Sequence, residues 1–230
     1  MRVSILNLTT PFPELAHVMT AGRQIRDWLA PAMPEAAMTV IDVAQGEALP
    51  GLDRFDGLVL SGSELGVYDH AEWMPRLRQT MLAARNAGKS MLGICFGHQL
   101  MADTFGGKAA KADIGLVVGV RDFVQDGQVA PAYAWHQDQV VEVPPGAQVV
   151  AHAAHCPVGA LYYDFPAYSV QYHPEYTADF ISREIALAAR KYLDPKLAEA
   201  ALASIRDVAV DRSLAAAKSA DVLRRYTALV

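Results

Sequence analysis

The sequence predicts an α/β protein with one mixed, mostly parallel sheet, helices on both faces and a helical C-terminal tail. Up to Gly107, short apolar runs rich in branched residues alternate with segments of helical spacing, an arrangement typical of parallel α/β sheets. After Gly107, short strand-like runs follow one another directly, so the sheet is expected to be mixed. The last third of the chain is rich in alanine, which favours helix.

The first half of the chain is predicted to alternate between strand and helix. The runs at 3–8, 38–43, 55–60 and 90–94 are short and apolar, so we expect buried strands there. Apolar residues recur at helical spacing over 17–30, over 72–87 and from Cys95 to the pair Gly106-Gly107. Gly88 directly follows the second of these helices, which is a typical C-terminal signal.

The second half is predicted to add strands first and helices afterwards. The strands are expected at 116–124, 139–143, 148–153, 160–163 and 168–172. The helices are expected at 180–192, 196–208 and 213–229. We therefore expect a catalytic domain over residues 1–176, with the helices of 177–230 packed on that same domain.

Composition excludes several classes of protein. Of the 230 residues, 52% are hydrophobic and 20% are charged, so the chain is expected to fold. The net charge of −5 argues against nucleic acid as the main partner. No run approaches the ~18 apolar residues of a membrane span, and the N-terminus lacks a signal-peptide pattern. The 2 cysteines exclude a disulfide scaffold, so we expect a cytoplasmic protein without membrane contact.

The segment around Cys95 predicts a nucleophile. A strand runs directly into Gly93-Ile-Cys95-Phe-Gly97 and then into a helix, which is the Gly-x-nucleophile-x-Gly pattern with Cys in place of Ser. Glycines on either side let other chain segments approach a sharp turn closely. The helix N-terminus favours the thiolate, which is the reactive form of a cysteine. A lone Cys would otherwise be interpreted as a small buried hydrophobe.

His173 and Glu175 are the predicted base and its orienting carboxylate. The extended segment that begins with the strand predicted at 168–172 is expected to continue through His173 and to end at Pro174. In extended chain, positions i and i+2 project to the same side, so the carboxylate could accept a hydrogen bond from the imidazole. The other ring nitrogen would then face the thiol. A surface His beside a surface Glu is the alternative for this pair taken alone.

These motifs together resemble those of the class I glutamine amidotransferases, over roughly residues 55 to 176. The matching segments are Gly93-Ile-Cys-Phe-Gly-His-Gln99, Gln171-Tyr-His-Pro-Glu175, the Gly-rich loop Leu60-Ser-Gly-Ser63 and the substrate loop Trp135-His-Gln-Asp138. The resemblance implies a flavodoxin-like three-layer sandwich. It also implies that Cys95 attacks the side-chain amide of glutamine, that His173 moves the proton, and that Glu175 orients His173. Water would then hydrolyse the γ-glutamyl thioester, with no cofactor.

The resemblance also implies roles for the residues around the triad. The backbone N–H of Phe96 and one from the Gly62-Ser63 turn would bind the oxyanion. Substrate contacts would come from Gln99 and from the backbone at Gln137 and Asp138. His136 is a further candidate for substrate binding, although a lone His is more often structural.

Departures from the family pattern leave other functions open. Ser63-Glu64 stands where the family usually has Gly-Pro, and Gln137 stands where it often has Gly. The sequence contains no phosphate-binding Gly-x-x-x-x-Gly-Lys loop and no synthetase domain. The partners left open are glutamine or another γ-glutamyl small molecule, a second copy of the chain, or a separate synthetase subunit. A γ-glutamyl peptidase is therefore the alternative enzyme, and a non-catalytic binding protein is the alternative outside enzymes.

His152, His155 and Cys156 are the one candidate metal cluster. Their offsets of three and four residues suit a helix, whereas the local pattern predicts strand. We therefore predict no metal site.

Overall fold

The computed structural model describes residues 1–10 and 20–225. The strands in this part of the chain are β1 (Arg2–Leu6), β2 (Ala37–Ile41), β3 (Gly57–Leu60), β4 (Ser90–Ile94), β5 (Lys108–Lys111), β6 (Val117–Gln125), β7 (Gln128–His136), β8 (Asp138–Glu142), β9 (Gln148–Ala153), β10 (Cys156–Tyr162) and β11 (Ala167–Val170). The α-helices are α1 (Ala21–Leu29), α2 (Met74–Asn86), α3 (Phe96–Thr104), α4 (Ala178–Ala189), α5 (Pro195–Asp207) and α6 (Ser213–Arg224).

Nine of these strands form one sheet in the order β2-β1-β3-β4-β11-β10-β9-β6-β7. The pairs from β2 through to β11 are parallel. From β11 to β7 the pairs are antiparallel. Strands β5 and β8 form a separate antiparallel ribbon. The prediction of a mixed α/β sheet is therefore confirmed, with the parallel strands in the half that carries β4.

Helices cover both faces of the sheet because its strands alternate their side chains between two hydrophobic clusters. In β3, Val59 packs in the cluster with α1 and α6, whereas Leu58 and Leu60 pack in the cluster with α2 and α3. A third cluster joins α4 and α5 to β6 and β7. The helices of the last third thus pack on the sheet, α6 against β4 and α5 against β6.

The structure corrects the predicted element boundaries in several places. Strands β5 and β7 were not predicted. Helix α1 begins at Ala21, where the Thr20 hydroxyl caps it by accepting the N–H of Arg23 at 3.4 Å. Residues 17–19 of the predicted helix 17–30, and residues 226–229 of the predicted helix 213–229, lie outside the described residues.

Among the helices of the described ranges, none has the length and apolarity needed to cross a bilayer.

Candidate active site

Cys95 occupies a strained turn between the central strand β4 and helix α3. Its backbone has φ 52° and ψ −105°, a region that residues with a side chain rarely adopt. The turn is held because the Cys95 N–H donates to the carbonyl of Val170 at 2.8 Å. The thiol therefore lies at the carboxyl end of a central parallel strand, where open α/β sheets bind ligands.

The two glycines of the motif are required by close backbone contacts, as the sequence predicted. A Cβ on Gly93 would lie 2.6 Å from the carbonyl oxygen of Gly97. A Cβ on Gly97 would lie 2.5 Å from the carbonyl oxygen of Leu60. The N–H of Gly97 also donates to the Ser61 carbonyl at 3.1 Å, so the start of α3 is joined directly to the loop after β3.

His173 and Glu175 contact each other through a turn. Strand β11 ends at Val170, so the prediction of extended chain up to Pro174 is wrong. The turn at Pro174 nevertheless brings the two side chains together, with Nδ1 of His173 2.7 Å from Oε1 of Glu175. Both residues are buried, at 3% and 2% exposure, so water does not compete for this contact.

The imidazole and the thiol meet beside Gly62. A Cβ on Gly62 would lie 3.1 Å from Cε1 of His173 and 3.7 Å from the Cβ of Cys95. Burial alone would lower the pKa of His173, but the charges of Glu175 and Cys95, with hydrogen bonds to both, raise that pKa well above its usual range. The arrangement therefore favours the imidazolium next to the sulfur.

Further contacts fix the sulfur and the imidazole. The Cys95 thiol lies 3.6 Å from the Trp135 carbonyl, and Nε2 of Gln171 lies 3.7 Å from the sulfur. The ring of Tyr176 stacks on the imidazole of His173 at a centroid distance of 4.1 Å. Of the three residues that make these contacts, Tyr176 alone lies outside the predicted motifs.

The residues predicted to bind an oxyanion lie close to Cys95. Phe96 is the first residue of α3, so its N–H has no acceptor within the helix. Gly62 and Ser63 line the cavity in front of the thiol. The Ser63 hydroxyl accepts the N–H of Leu65 at 3.2 Å, which shapes this loop.

The four residues predicted to contact substrate all line that cavity. The segment Trp135–Asp138 is not a loop, because His136 ends β7 and Asp138 begins β8, with Gln137 alone between them. Nε2 of Gln99 donates to the Asp138 carbonyl at 2.8 Å, so this amide nitrogen is already engaged within the protein.

His136 and Asp138 are buried polar side chains that keep unused hydrogen-bonding atoms. Nδ1 of His136 lies 3.2 Å from the Asp138 carbonyl, whereas Nε2 of His136 and Oδ1 of Asp138 have no partner within the described residues. Burial lowers the pKa of His136 to about 3, so this ring is neutral. Burial raises the pKa of Asp138, and a hydrogen bond from Tyr68 opposes that shift.

The cavity has a volume of about 700 Å³, and its lining contains several carboxyl groups. The carboxylates in its lining, among the described residues, are Glu64, Asp69, Asp138, Glu175 and Glu184. No Lys or Arg of the described chain lines it. The ranges 11–19 and 226–230 contain no Lys or Arg either.

Several residues of this cavity carry no signal in the sequence. Glu184 and Tyr192 come from α4 and the turn after it, and Gln24 comes from α1. Gln24 and Glu184 lie on amphipathic helices, where a polar residue is expected to face solvent. Only the folded chain shows that these residues line the same cavity as Cys95.

His152, His155 and Cys156 do not converge on one point. His155 stacks against His136 at 5.7 Å, the Cys156 thiol contacts the Val158 carbonyl at 3.5 Å, and His152 is exposed on β9. The described residues contain no group of three or more His, Cys, Asp or Glu that could hold a metal ion.

The sequence matches a known protein family and several of its members. The family model described as glutamine amidotransferase class-I matches residues 18–185. Gamma-glutamyl peptidase 5 of Arabidopsis thaliana is 31% identical over 176 residues, covering 70% of this chain and 70% of the relative. The glutamine-hydrolyzing GMP synthase of Bordetella parapertussis is 33% identical over 138 residues, covering 53% of this chain and 25% of the relative.

Solved structures show the same fold. A glutamine amido transferase from Methylobacillus Flagellatus superposes with a TM-score of 0.76 at 21% identity, covering 97% of this chain and 92% of the other. A glutamine amidotransferase from Thermotoga maritima gives a TM-score of 0.75 at 19% identity, covering 98% and 97%. These matches confirm the predicted flavodoxin-like fold class.

Proposed function

The chain belongs to the class I glutamine amidotransferase family, and we propose that it hydrolyses γ-glutamyl amide bonds through a thioester on Cys95. The observation that carries the proposal is the convergence of Cys95, His173 and Glu175 at the wall of one cavity. A thiol, an imidazole and an orienting carboxylate are the groups that nucleophilic acyl transfer needs.

The reaction begins when the Cys95 sulfur attacks the carbonyl carbon of the γ-amide. His173 holds the thiol proton, and Glu175 keeps Nδ1 of the ring engaged so that Nε2 carries that proton. The tetrahedral oxyanion would accept hydrogen bonds from the N–H of Phe96 and from the Gly62-Ser63 turn. Removal of one such donor typically lowers kcat by about a hundredfold or more.

The intermediate collapses when the C–N bond breaks and His173 gives its proton to the departing nitrogen. Ammonia or an amine leaves, and the γ-glutamyl group remains on the sulfur as a thioester. His173 then takes a proton from water, whose oxygen attacks the thioester carbon. The C–S bond breaks, and glutamate and the Cys95 thiol are released.

Two substrate ranges fit this chemistry. Glutamine is the simplest γ-glutamyl amide, and a separate synthetase subunit would then use the ammonia. Larger γ-glutamyl compounds are favoured by one specific observation, since a cavity of about 700 Å³ falls in the size range of sites for drug-sized ligands. The similarity to gamma-glutamyl peptidase 5 supports the same range. We therefore favour γ-glutamyl compounds larger than glutamine.

A substrate panel tests the proposal. Purified wild-type chain is incubated separately with glutamine, with γ-glutamyl peptides and with γ-glutamyl amines, and released glutamate is measured. Cys95→Ala serves as the inactive variant, and Cys156→Ala, which removes the other cysteine, serves as its matched control. We expect glutamate release by wild type and Cys156→Ala only, with the larger substrates preferred. Equal turnover by Cys95→Ala would refute the proposal.

A further inference from the structure

The cavity wall beside His173 carries carboxylates that the proposed hydrolysis does not use. Glu184 of α4 and Glu64 of the loop after β3 both line the cavity, and both act electrostatically on Tyr192, which lines it too. The two carboxylates therefore lie near one phenol, at the same part of the wall.

Glu184 and Glu64 form an acidic wall, and we expect the departing amine on the same side of the cavity. His173 must touch the leaving nitrogen in order to protonate it. Glu184 interacts electrostatically with His173 and with Glu175, so it belongs to the His173 side of the cavity. Asp138 is not part of this acidic wall, because it accepts a hydrogen bond from Tyr68 and interacts electrostatically with Lys111 and Asp69.

Beside this acidic wall the positive charge among the described lining residues comes from the His173 imidazolium and not from Lys or Arg. Burial raises the pKa of Glu184 to about 7, with the charge of His173 opposing and that of Glu175 reinforcing the shift. Glu64 accepts the N–H of Thr10 at 3.1 and 3.2 Å, which leaves its net charge in place. A bound ammonium would favour the ionised form of Glu184, and no Lys or Arg in the lining of the described chain competes for Glu184 or Glu64.

An independent observation, the buried side chain of Gln24, points to a polar ligand in this cavity. Gln24 lines it with 3% exposure, and neither its amide nitrogen nor its amide oxygen has a partner within the described residues. An unpaired buried amide costs free energy, and this cost favours a bound molecule that pairs with it. An N–H of an amine or ammonium ligand would donate to the amide oxygen of Gln24.

On the premise that the chain cleaves γ-glutamyl amides, we propose that its preferred leaving group is an alkyl diamine or polyamine. One amine nitrogen of this leaving group forms the scissile amide at Cys95. The distal ammonium lies against Glu184, with Glu64 as the second carboxylate. Water supplies the elements of hydrolysis, so the products are glutamate and the free diamine.

Three substrates of similar chain length test the inference. They are the γ-glutamyl amides of diaminobutane, of pentylamine and of aminopentanoate, which end in an ammonium, a methyl group and a carboxylate. We expect kcat/KM for the diaminobutane amide to exceed that for the pentylamine amide by about tenfold, the size of a hydrogen bond to a charged group. The aminopentanoate amide should be the poorest of the three.

Glu184→Gln tests the residue, with Glu199→Gln on the exposed face of α5 as its matched control. We expect Glu184→Gln to bring the ratio of the first two substrates close to one, and Glu199→Gln to keep the wild-type ratio. Thermal melts verify that both variants fold, and Glu64→Gln should lower the same ratio if Glu184→Gln does not fold.

Two results overturn the inference while leaving the proposed function intact. One is that wild type hydrolyses the diaminobutane and pentylamine amides equally well. The other is that Glu184→Gln lowers kcat/KM for all three amides by the same factor, which would assign Glu184 to the glutamyl portion or to His173. Failure of wild type to hydrolyse any of the amides or glutamine would overturn the proposed function as well.

Discussion

The ring of Tyr176 lies parallel to the imidazole of His173, with an interplanar angle of 10° and a centroid distance of 4.1 Å. Glu175 between them in sequence holds the edge of the same imidazole at Nδ1. One face and one edge of the ring are thus fixed by neighbouring residues of a single turn. The Arg212 guanidinium supports that turn by donating to the Glu175 carbonyl at 3.0 Å.

Replacing Tyr176 tests whether this stack positions the imidazole. Tyr176→Phe keeps the ring and should retain activity within about threefold, whereas Tyr176→Ala removes it and should lower kcat by about tenfold or more, because misplaced catalytic groups lose rate steeply. Steady-state kinetics with a γ-glutamyl substrate measure the activity of both variants. Equal activity of the Ala and Phe variants would contradict the positioning role.

Glu175→Gln should lower activity and shift its pH dependence. The charge of Glu175 helps to raise the pKa of His173, so its loss should lower that pKa and reduce the imidazolium at a given pH. We expect kcat to fall by about 10²–10⁴-fold, as for other orienting carboxylates. The alkaline limb of the kcat/KM profile should also move to lower pH. Glu142→Gln serves as the control and should keep the wild-type profile. An unchanged profile in Glu175→Gln would contradict this coupling.

Gly62→Ala should disturb the contact between the imidazole and the thiol without unfolding the protein. The new Cβ would lie 3.1 Å from Cε1 of His173, and the stacked ring has little freedom to move away. We expect kcat to fall at least about tenfold while the melting temperature stays within a few degrees. Kinetics and a thermal melt of the same preparation measure kcat and the melting temperature. Wild-type activity in this variant would show that the two groups do not need this spacing.

His98 should make the folded state sensitive to acid. This fully buried ring contacts Ser169 at 2.7 Å and Val158 at 3.2 Å, and burial lowers its pKa to about 4. Between pH 6.5 and 4 the unfolded chain therefore binds a proton that the folded chain excludes, so stability decreases as the pH falls. The loss attributable to His98 is on the order of 3 kcal/mol.

Urea unfolding at neutral pH and at about pH 5 measures this effect. The free energy of unfolding should fall less on acidification in His98→Gln than in wild type. His152→Gln removes an exposed histidine from β9 and should behave as wild type. An acid-induced loss in His98→Gln as large as that in wild type would show that His98 does not cause the sensitivity.

The sequence predicted the parallel half of the sheet well because its signals are local. Strand β4 was predicted with its observed bounds, since a short apolar run leads directly into a glycine-flanked turn. Strand β7 was missed, although its hairpin signal is present. Asp126 and Gly127 have φ of 52° and 74°, as a two-residue hairpin turn requires, and Asp-Gly is a preferred pair there.

The composition of the cavity could not be predicted in the same way. Cys95, His173 and Glu175 were found because each lies in a short motif. Glu184 lies on α4, where its spacing is that of any polar residue on an amphipathic helix. Its position in the cavity wall depends on how α4 packs over β6 and β7, which no local pattern encodes.

The most direct test of the central claim is covalent labelling of the nucleophile. The protein is treated with a glutamine-like diazoketone, and intact mass and peptide mapping locate the adduct. We expect one adduct per chain, on Cys95, with Cys156 unlabelled because it is fully buried and burial raises its pKa to about 12. Labelling should persist in Cys156→Ala and disappear in Cys95→Ala and His173→Ala. Equal labelling of wild type and His173→Ala would contradict activation of the thiol by the imidazole.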